Sequence, residues 1–143
     1  MPNLTKRVMI ITSHKMILRG ISLLVKGSEN AEIVASAKRL DEFAGYYSAQ
    51  PDIVIVDNSI ESTSTIQEIR ENLPHVWIVA LVDFIEELSH ASLLDSGATY
   101  IVQKKHIVAD LLAIIQSYKH QTSDHGQLAA QTAHCGRPFH GSR

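Results

Sequence analysis

The stretch "VMIITSHKMILRGISLLV", Val8 to Val25, opens as a near-continuous run of apolar residues and continues with apolar residues at helical spacing. The first part reads as a strand covered on both faces and the second as an amphipathic helix. They meet at Thr12-Ser13-His14. In an open α/β sheet, ligands bind outside the carboxyl ends of the parallel strands, so the residues at this joint bear directly on function.

Outward from that joint, strand-like and helix-like segments alternate five times between Lys6 and about Lys119, the pattern of parallel βαβ units. The expected strands are Arg7 to Thr12, Ala31 to Ala37, Asp52 to Asp57, Val76 to Val82 and Thr99 to Gln103. The expected helices run from His14 to Lys26, Leu40 to Ala49, Ser62 to Asn72, Ile85 to Ser96 and Ile107 to His120. Pro51, Pro74 and Gly97 fall at joints where a helix has ended and the next strand is about to start. After Tyr118 the chain turns to "KHQTSDHGQLAAQTAHCGRPFHGSR", without an apolar face, and residues 120–143 are expected to form a flexible tail or linker.

Composition removes several classes of function. A chain of 143 residues, 45% hydrophobic, suits one domain with a proper core. A net charge of −2 leaves no basic footprint for nucleic acid. The single cysteine, Cys135, rules out an internal disulfide and a four-cysteine zinc site, in keeping with a reducing compartment. No segment has the length of a membrane span, and the N-terminal residues lack the long apolar run of a signal peptide. A cytoplasmic location without membrane contact is expected. There is no Gly-rich phosphate loop, nucleophile elbow or paired catalytic cysteine, so no enzyme is expected. His120, His125, His134, Cys135 and His140 match no zinc spacing.

Three pieces in order, "TSHKMILRGISLLV", "QPDIVIVD" ending at Asp57 and "GATYIVQK" ending at Lys104, give the chain a family likeness. It resembles the CheY-like receiver domains of bacterial response regulators, of the type found in NarL/LuxR-class transcription factors, over about Lys6 to Tyr118. The resemblance implies a doubly wound, five-stranded parallel sheet of flavodoxin-like (βα)5 type with strand order 2-1-3-4-5, and a receiver-like domain spanning residues 1–119. It also implies a phosphoryl-transfer site: two carboxylates after the first strand to hold Mg²⁺, an acceptor aspartate, a lysine, and a hydroxyl that reports the phosphoryl group.

Carried over residue by residue, Asp57 takes the acceptor position and Lys104 the phosphate-pairing position. Thr12 and Ser13 replace the acidic pair, Val82 replaces the switch hydroxyl, and Ile101 stands where an aromatic usually moves with it. Tyr100, one residue earlier, should point to the opposite face. The loop "DNSIESTSTIQEI" also lacks the family's Pro and Gly and looks short. With no acids beside Asp57, Mg²⁺ binding is expected to be weak or absent, and with no hydroxyl at Val82 a phosphoryl group would go unreported. A direct Asp57–Lys104 ion pair, fixing one conformation, is the expected substitute.

Other residues have plainer roles. Ser13 is expected to be the N-cap of the first helix, in preference to part of an anion site with Thr12, His14 and Lys15. His14 is expected to be structural, Gly20 beside Arg19 to allow close packing of helix on sheet, and Asp52 to serve the start of its strand. Asp83 should face away from the site because it follows Val82 by one residue.

These observations lead to an atypical, degenerate receiver acting as a phosphorylation-independent interaction or dimerisation module in two-component signalling and transcription regulation. Its partner is expected to be another protein or a second copy, with DNA met only through a separate output domain. Candidate apolar contacts are Ile17, Leu18 and Ile21 on the first helix and Ile107, Leu111, Ile114 and Tyr118 on the last. The alternatives are a working phosphoacceptor at Asp57 served by a histidine kinase, and a sensor of a small ligand or anion in the altered pocket.

Overall fold

The computed structural model describes residues 5–40, 45–57, 62–83 and 87–119. Five parallel strands form one sheet in the order β2-β1-β3-β4-β5. The strands are β1 (Lys6–Ile11), β2 (Ala31–Ala37), β3 (Ile53–Asp57), β4 (Trp77–Val82) and β5 (Tyr100–Gln103). The helices are α1 (Lys15–Lys26), α2 (Ser62–Asn72), α3 (Glu87–Ser96) and α4 (Ile107–Ser117). This is the fold class expected, with the expected strand order.

The strands read as continuous apolar runs because alternate residues feed two separate cores. Met9, Ile11, Val54, Val56, Ile78 and Ala80 face one way, onto Ile66 and Ile69 of α2 and Leu93 of α3. Val8, Ile10, Ile53, Ile55, Val79 and Leu81 face the other way, onto Ile21 and Val25 of α1 and Leu111, Ile114 and Ile115 of α4. Each buried aliphatic side chain contributes about 1.5–3 kcal/mol relative to exposure. A charge placed at a central position such as Ile55 would therefore break the stack from within.

The second expected helix is the main correction. Among the described residues of Leu40 to Ala49, Leu40 and Tyr46–Ala49 are in 3-10 conformation and none is α-helical. Gly45, with φ of 72°, sits in the left-handed region, which a right-handed helix cannot pass through. The last helix is shorter than expected as well. It ends at Ser117, and Tyr118 is extended, with ψ of 135°. That turn lets the Tyr118 ring pack edge-on against Trp77, 4.9 Å between centroids. Residues 120–143, the expected tail, lie outside the described residues.

Candidate functional site

The joint after β1, the last residue of β3 and the first residue after β5 meet at the carboxyl edge of the sheet. Asp57 closes β3 with no exposure at all, and Thr12 beside it is 4% exposed. The Thr12 hydroxyl donates to Asp57 Oδ2 at 2.7 Å. From the other side, Lys104 Nζ lies 2.8 Å from Asp57 Oδ1. Both carboxylate oxygens are thus engaged, one by a hydroxyl and one by an ammonium.

Lys104 opens a 3-10 turn, Lys104–His106, that leads into α4. Its side chain also lies 3.3 Å from Asp83 Oδ1, so the ammonium bridges a buried carboxylate and an exposed one. Burial pulls its pKa down, but the hydrogen bonds and charges of Asp57 and then Asp83 outweigh burial and hold it above the usual lysine value. The expectation that Asp83 turns away is therefore corrected. Strand β4 ends at Val82, so the alternation of strand side chains no longer governs residue 83.

Thr12 also explains why Ser13 is not the helix cap. The N-cap position of α1 is His14, which makes no side-chain cap bond. Its backbone N–H is instead accepted by Thr12 Oγ1 at 3.1 Å. One hydroxyl thus donates to Asp57 and accepts from the entry to α1, while Ser13 is exposed. His14 Nε2 stands 4.0 Å from Asp57 Oδ2, beyond hydrogen-bond distance, with its side chain about half exposed at 53%.

The reporting positions are filled by apolar groups. Val82 is buried at 3% exposure, and Ile101 packs half-buried against the α2–α3 core. Tyr100 belongs to the opposite core, as its neighbouring position requires. Among the described residues, no group of three His, Cys, Asp or Glu side chains could hold a metal ion.

The remaining candidates separate into surface and core. Asp52 accepts from the Arg7 backbone N–H at 2.9 Å and from the Tyr118 hydroxyl at 3.3 Å, a strand-start role at the opposite edge of the sheet. Of the apolar contact candidates, Ile21, Leu111 and Ile114 are core and cannot meet a partner, whereas Ile17, Leu18, Ile107 and Tyr118 are half-buried. Met16, Leu23 and Val108 are the exposed large apolar residues on these two helices, and periodicity alone does not single them out. Gly20 does not serve close packing on the sheet. A Cβ built there would meet nothing within 4 Å.

No family model matches the chain. Curated relatives include the response regulator protein VraR of Staphylococcus epidermidis, 26% identical over 118 residues, covering 79% of this chain and 56% of that protein. VraR of Staphylococcus aureus is 24% identical over 112 residues, covering 76% of this chain and 54% of that protein. The chain thus spans little more than half the length of these relatives. Among solved structures, the non-phosphorylated receiver domain of the stress response regulator RcsB from Escherichia coli matches with a TM-score of 0.71 at 22% identity, covering 80% of this chain and 95% of that one. A LuxR-family two-component response regulator from Aurantimonas sp. matches with a TM-score of 0.68 at 21% identity, covering 89% of this chain and 96% of that one.

Proposed function

We propose that this chain, a receiver domain by its fold and of the LuxR/NarL class of response regulators by its relatives, works as a fixed interaction module whose state does not depend on phosphorylation. The observation that carries the reading is the closed lock at Asp57, with Thr12 on one oxygen and Lys104 on the other. Magnesium is usually held through one or two carboxylates with substrate oxygens, and it demands near-ideal octahedral geometry. The carboxylates here, Asp57 and Asp83, are both bound to the Lys104 ammonium, and Thr12 directs its proton at Asp57. These groups do not fit the metal.

Without a metal to neutralise the charge of an approaching phosphoryl donor, Asp57 is a poor acceptor. Val82 and Ile101 carry no hydroxyl that would register such a group. In this reading the lock replaces the switch. The domain holds one conformation through contacts that need no energy source, and it works by meeting a protein partner or a second copy. The relatives supply the setting of two-component signalling and transcription control, in which any contact with DNA falls to a separate output domain. The module itself turns nothing over.

The test is a pair of amide ¹H–¹⁵N spectra of the full chain, before and after addition of Mg²⁺ with beryllofluoride as a phosphoryl mimic. Superimposable spectra are expected. Shifts centred on Thr12, Asp57 and Lys104 and spreading into α4 would restore the rival reading, a phosphoacceptor at Asp57.

A further inference from the structure

We propose that Arg70 is a positioning residue that locks α3 in place from its C-terminal end, independently of the Asp57–Lys104 pair; this rests on the fixed-module reading and names a second way in which the module is held. Arg70 lies in the last turn of α2. Its Nε and Nη2 donate to the Gly97 carbonyl, directly after α3, at 3.2 and 2.7 Å. Nη2 also donates to the Thr99 hydroxyl at 3.3 Å, and Nη1 donates to the carbonyls of Pro74 and Val76 at 2.9 and 2.8 Å. One side chain thus ties together the end of α2, the approach to β4 and the joint between α3 and β5.

The acceptors explain the residue type. All of them are neutral oxygens, so geometry and not an opposite charge fixes the guanidinium. Its planar fork carries donors on three nitrogens in set directions, and here every nitrogen is used. The carbonyl end of a helix is the negative end of its dipole, and the ends of both α2 and α3 lie at this cation. Burial alone acts on the Arg70 pKa, pulling it down, with no carboxylate to oppose the shift.

Gly97 is built to the same end. Its N–H bonds the Leu94 carbonyl at 3.0 Å and the Ala98 N–H bonds the Leu93 carbonyl at 3.1 Å, a pair of bonds that closes a helix on a residue of positive φ. With φ of 124° the position suits glycine, and a Cβ there would lie 3.1 Å from Cβ and Cγ of Arg70. The Arg70 stem therefore packs on the glycine backbone, where a side chain would otherwise stand.

Helix α3 needs such an anchor. Among the described side chains, Leu93 is its one buried apolar residue, whereas α2 buries Ile66 and Ile69 and α4 buries Leu111, Ile114 and Ile115. Ahead of α3, Asp83 is held by Lys104 at 3.3 Å; after it, Gly97 is held by Arg70. A cation grips each flank, and the two grips share no residue. They also differ in kind. Asp83 is 71% exposed, so salt weakens the front grip, while the rear grip rests on carbonyls and is insensitive to it.

The test is amide hydrogen exchange of the full chain, read residue by residue, in the parent, Arg70→Met, Arg70→Lys and Lys104→Met. The readout is the protection of α3, Gly97 and Ala98 relative to β1, which separates a local opening from a change in global stability. Arg70→Met should lower this ratio about tenfold, the worth of one hydrogen bond to a charged group. Arg70→Lys keeps the charge and loses the fork, so it should fall with Arg70→Met, and it supplies the same comparison if Arg70→Met does not fold. Lys104→Met, and salt on the parent, should leave Gly97 and Ala98 as protected relative to β1 as before.

An unchanged ratio in Arg70→Met, even with faster exchange everywhere, would make Arg70 a contributor to global stability only and overturn the proposal. So would a parent-like ratio in Arg70→Lys, or release of Gly97 and Ala98 by Lys104→Met. Incubation of the parent with Mg²⁺ and acetyl phosphate before exchange separates this from the reading beneath it. No phosphate uptake together with no Arg70 effect removes the lock on α3 and leaves the fixed module standing. Phosphate uptake at Asp57 removes the fixed module, whatever Arg70 does.

Discussion

Two aspartates five positions apart bracket β3, and they are held in different ways. Asp52, just before the strand, is half-buried and takes its hydrogen bonds from the Arg7 backbone and the Tyr118 hydroxyl. Asp57, at the strand's end, is fully buried and faces an ammonium and a hydroxyl. Around Asp52 the neighbourhood is that of a structural joint. Arg7 donates to the Ala49 carbonyl at 2.7 Å, and Trp77 stands between Tyr100 and Tyr118 in edge-on contacts. Around Asp57 a full charge is sealed in by another full charge. A buried ion pair is weak evidence for stability, because desolvation offsets much of the attraction, so its presence calls for a different explanation from that of Asp52. In the proposed fixed module the pair supplies specificity: it holds the starts of α1 and α4 in one arrangement, through Thr12 on one side and Lys104 on the other.

The contrast between the two aspartates is most exposed to failure at Lys104. Lys104→Met leaves Asp57 buried without its cation and should destabilise the domain by about 3 kcal/mol, the lower end of what breaking a buried pair costs because Lys104 keeps some exposure. Urea unfolding measures it, and a change under about 1 kcal/mol, the worth of an exposed pair, would mean that Asp57 is not held by this charge. Replacing both partners, Asp57→Leu with Lys104→Met, should recover most of the loss, as apolar replacements of buried pairs do. At the other end of β3, Asp52→Ala removes two acceptor contacts and should cost about 1–2 kcal/mol. If its loss matched that of Lys104→Met, the two ends would be equivalent and the distinction would fall. Thr12→Val keeps the shape but deletes a hydroxyl that donates once and accepts once, and should cost about 1 kcal/mol.

The smallest effect is alkaline. The Lys104 pKa is raised in the folded state, so its charge contribution is complete below the ordinary value of 10.5 and is lost as pH rises through the higher folded value. The Tyr118 phenol is also raised, by burial first and then by the charge and hydrogen bond of Asp52. Its contribution is complete below 10.0 and is lost as pH rises beyond that, because the unfolded chain ionises first. Stability followed from about pH 8 upward should therefore fall less steeply in Lys104→Met and in Tyr118→Phe than in the parent. A parallel slope in either variant would show that the group is unperturbed.

Much of this was legible in the sequence, and the reasons are particular. The five strands stand out because a sheet covered on both faces needs apolar residues at consecutive positions, as in Ile53 to Val56. Asp57 and Lys104 are findable because one ends β3 and the other directly follows β5 at the same edge, and their approach to 2.8 Å follows from that placement. The rest depends on local geometry that residue types do not encode. The helix expected from Leu40 to Ala49 cannot run through the left-handed Gly45, and residue type alone does not reveal this, since a glycine is compatible with a helix and with a break. Ser13 has the chemistry of a cap, but Thr12 reaches the His14 amide first. Asp83 comes into reach of Lys104 because its strand ends one residue earlier, and Gly20 faces outward into a groove rather than inward. Helical period marks which face of α1 is apolar but not where α4 stops covering it, so Met16 and Val108 become visible only in three dimensions.

Whether the lock at Asp57 excludes phosphorylation is tested most directly by the intact mass of the full chain after incubation with Mg²⁺ and acetyl phosphate or phosphoramidate, with Asp57→Asn alongside. No added phosphate is expected in either protein. A stoichiometric adduct on the parent that is absent from Asp57→Asn would contradict the fixed module, and would mean that the Thr12–Asp57–Lys104 lock opens to admit the chemistry.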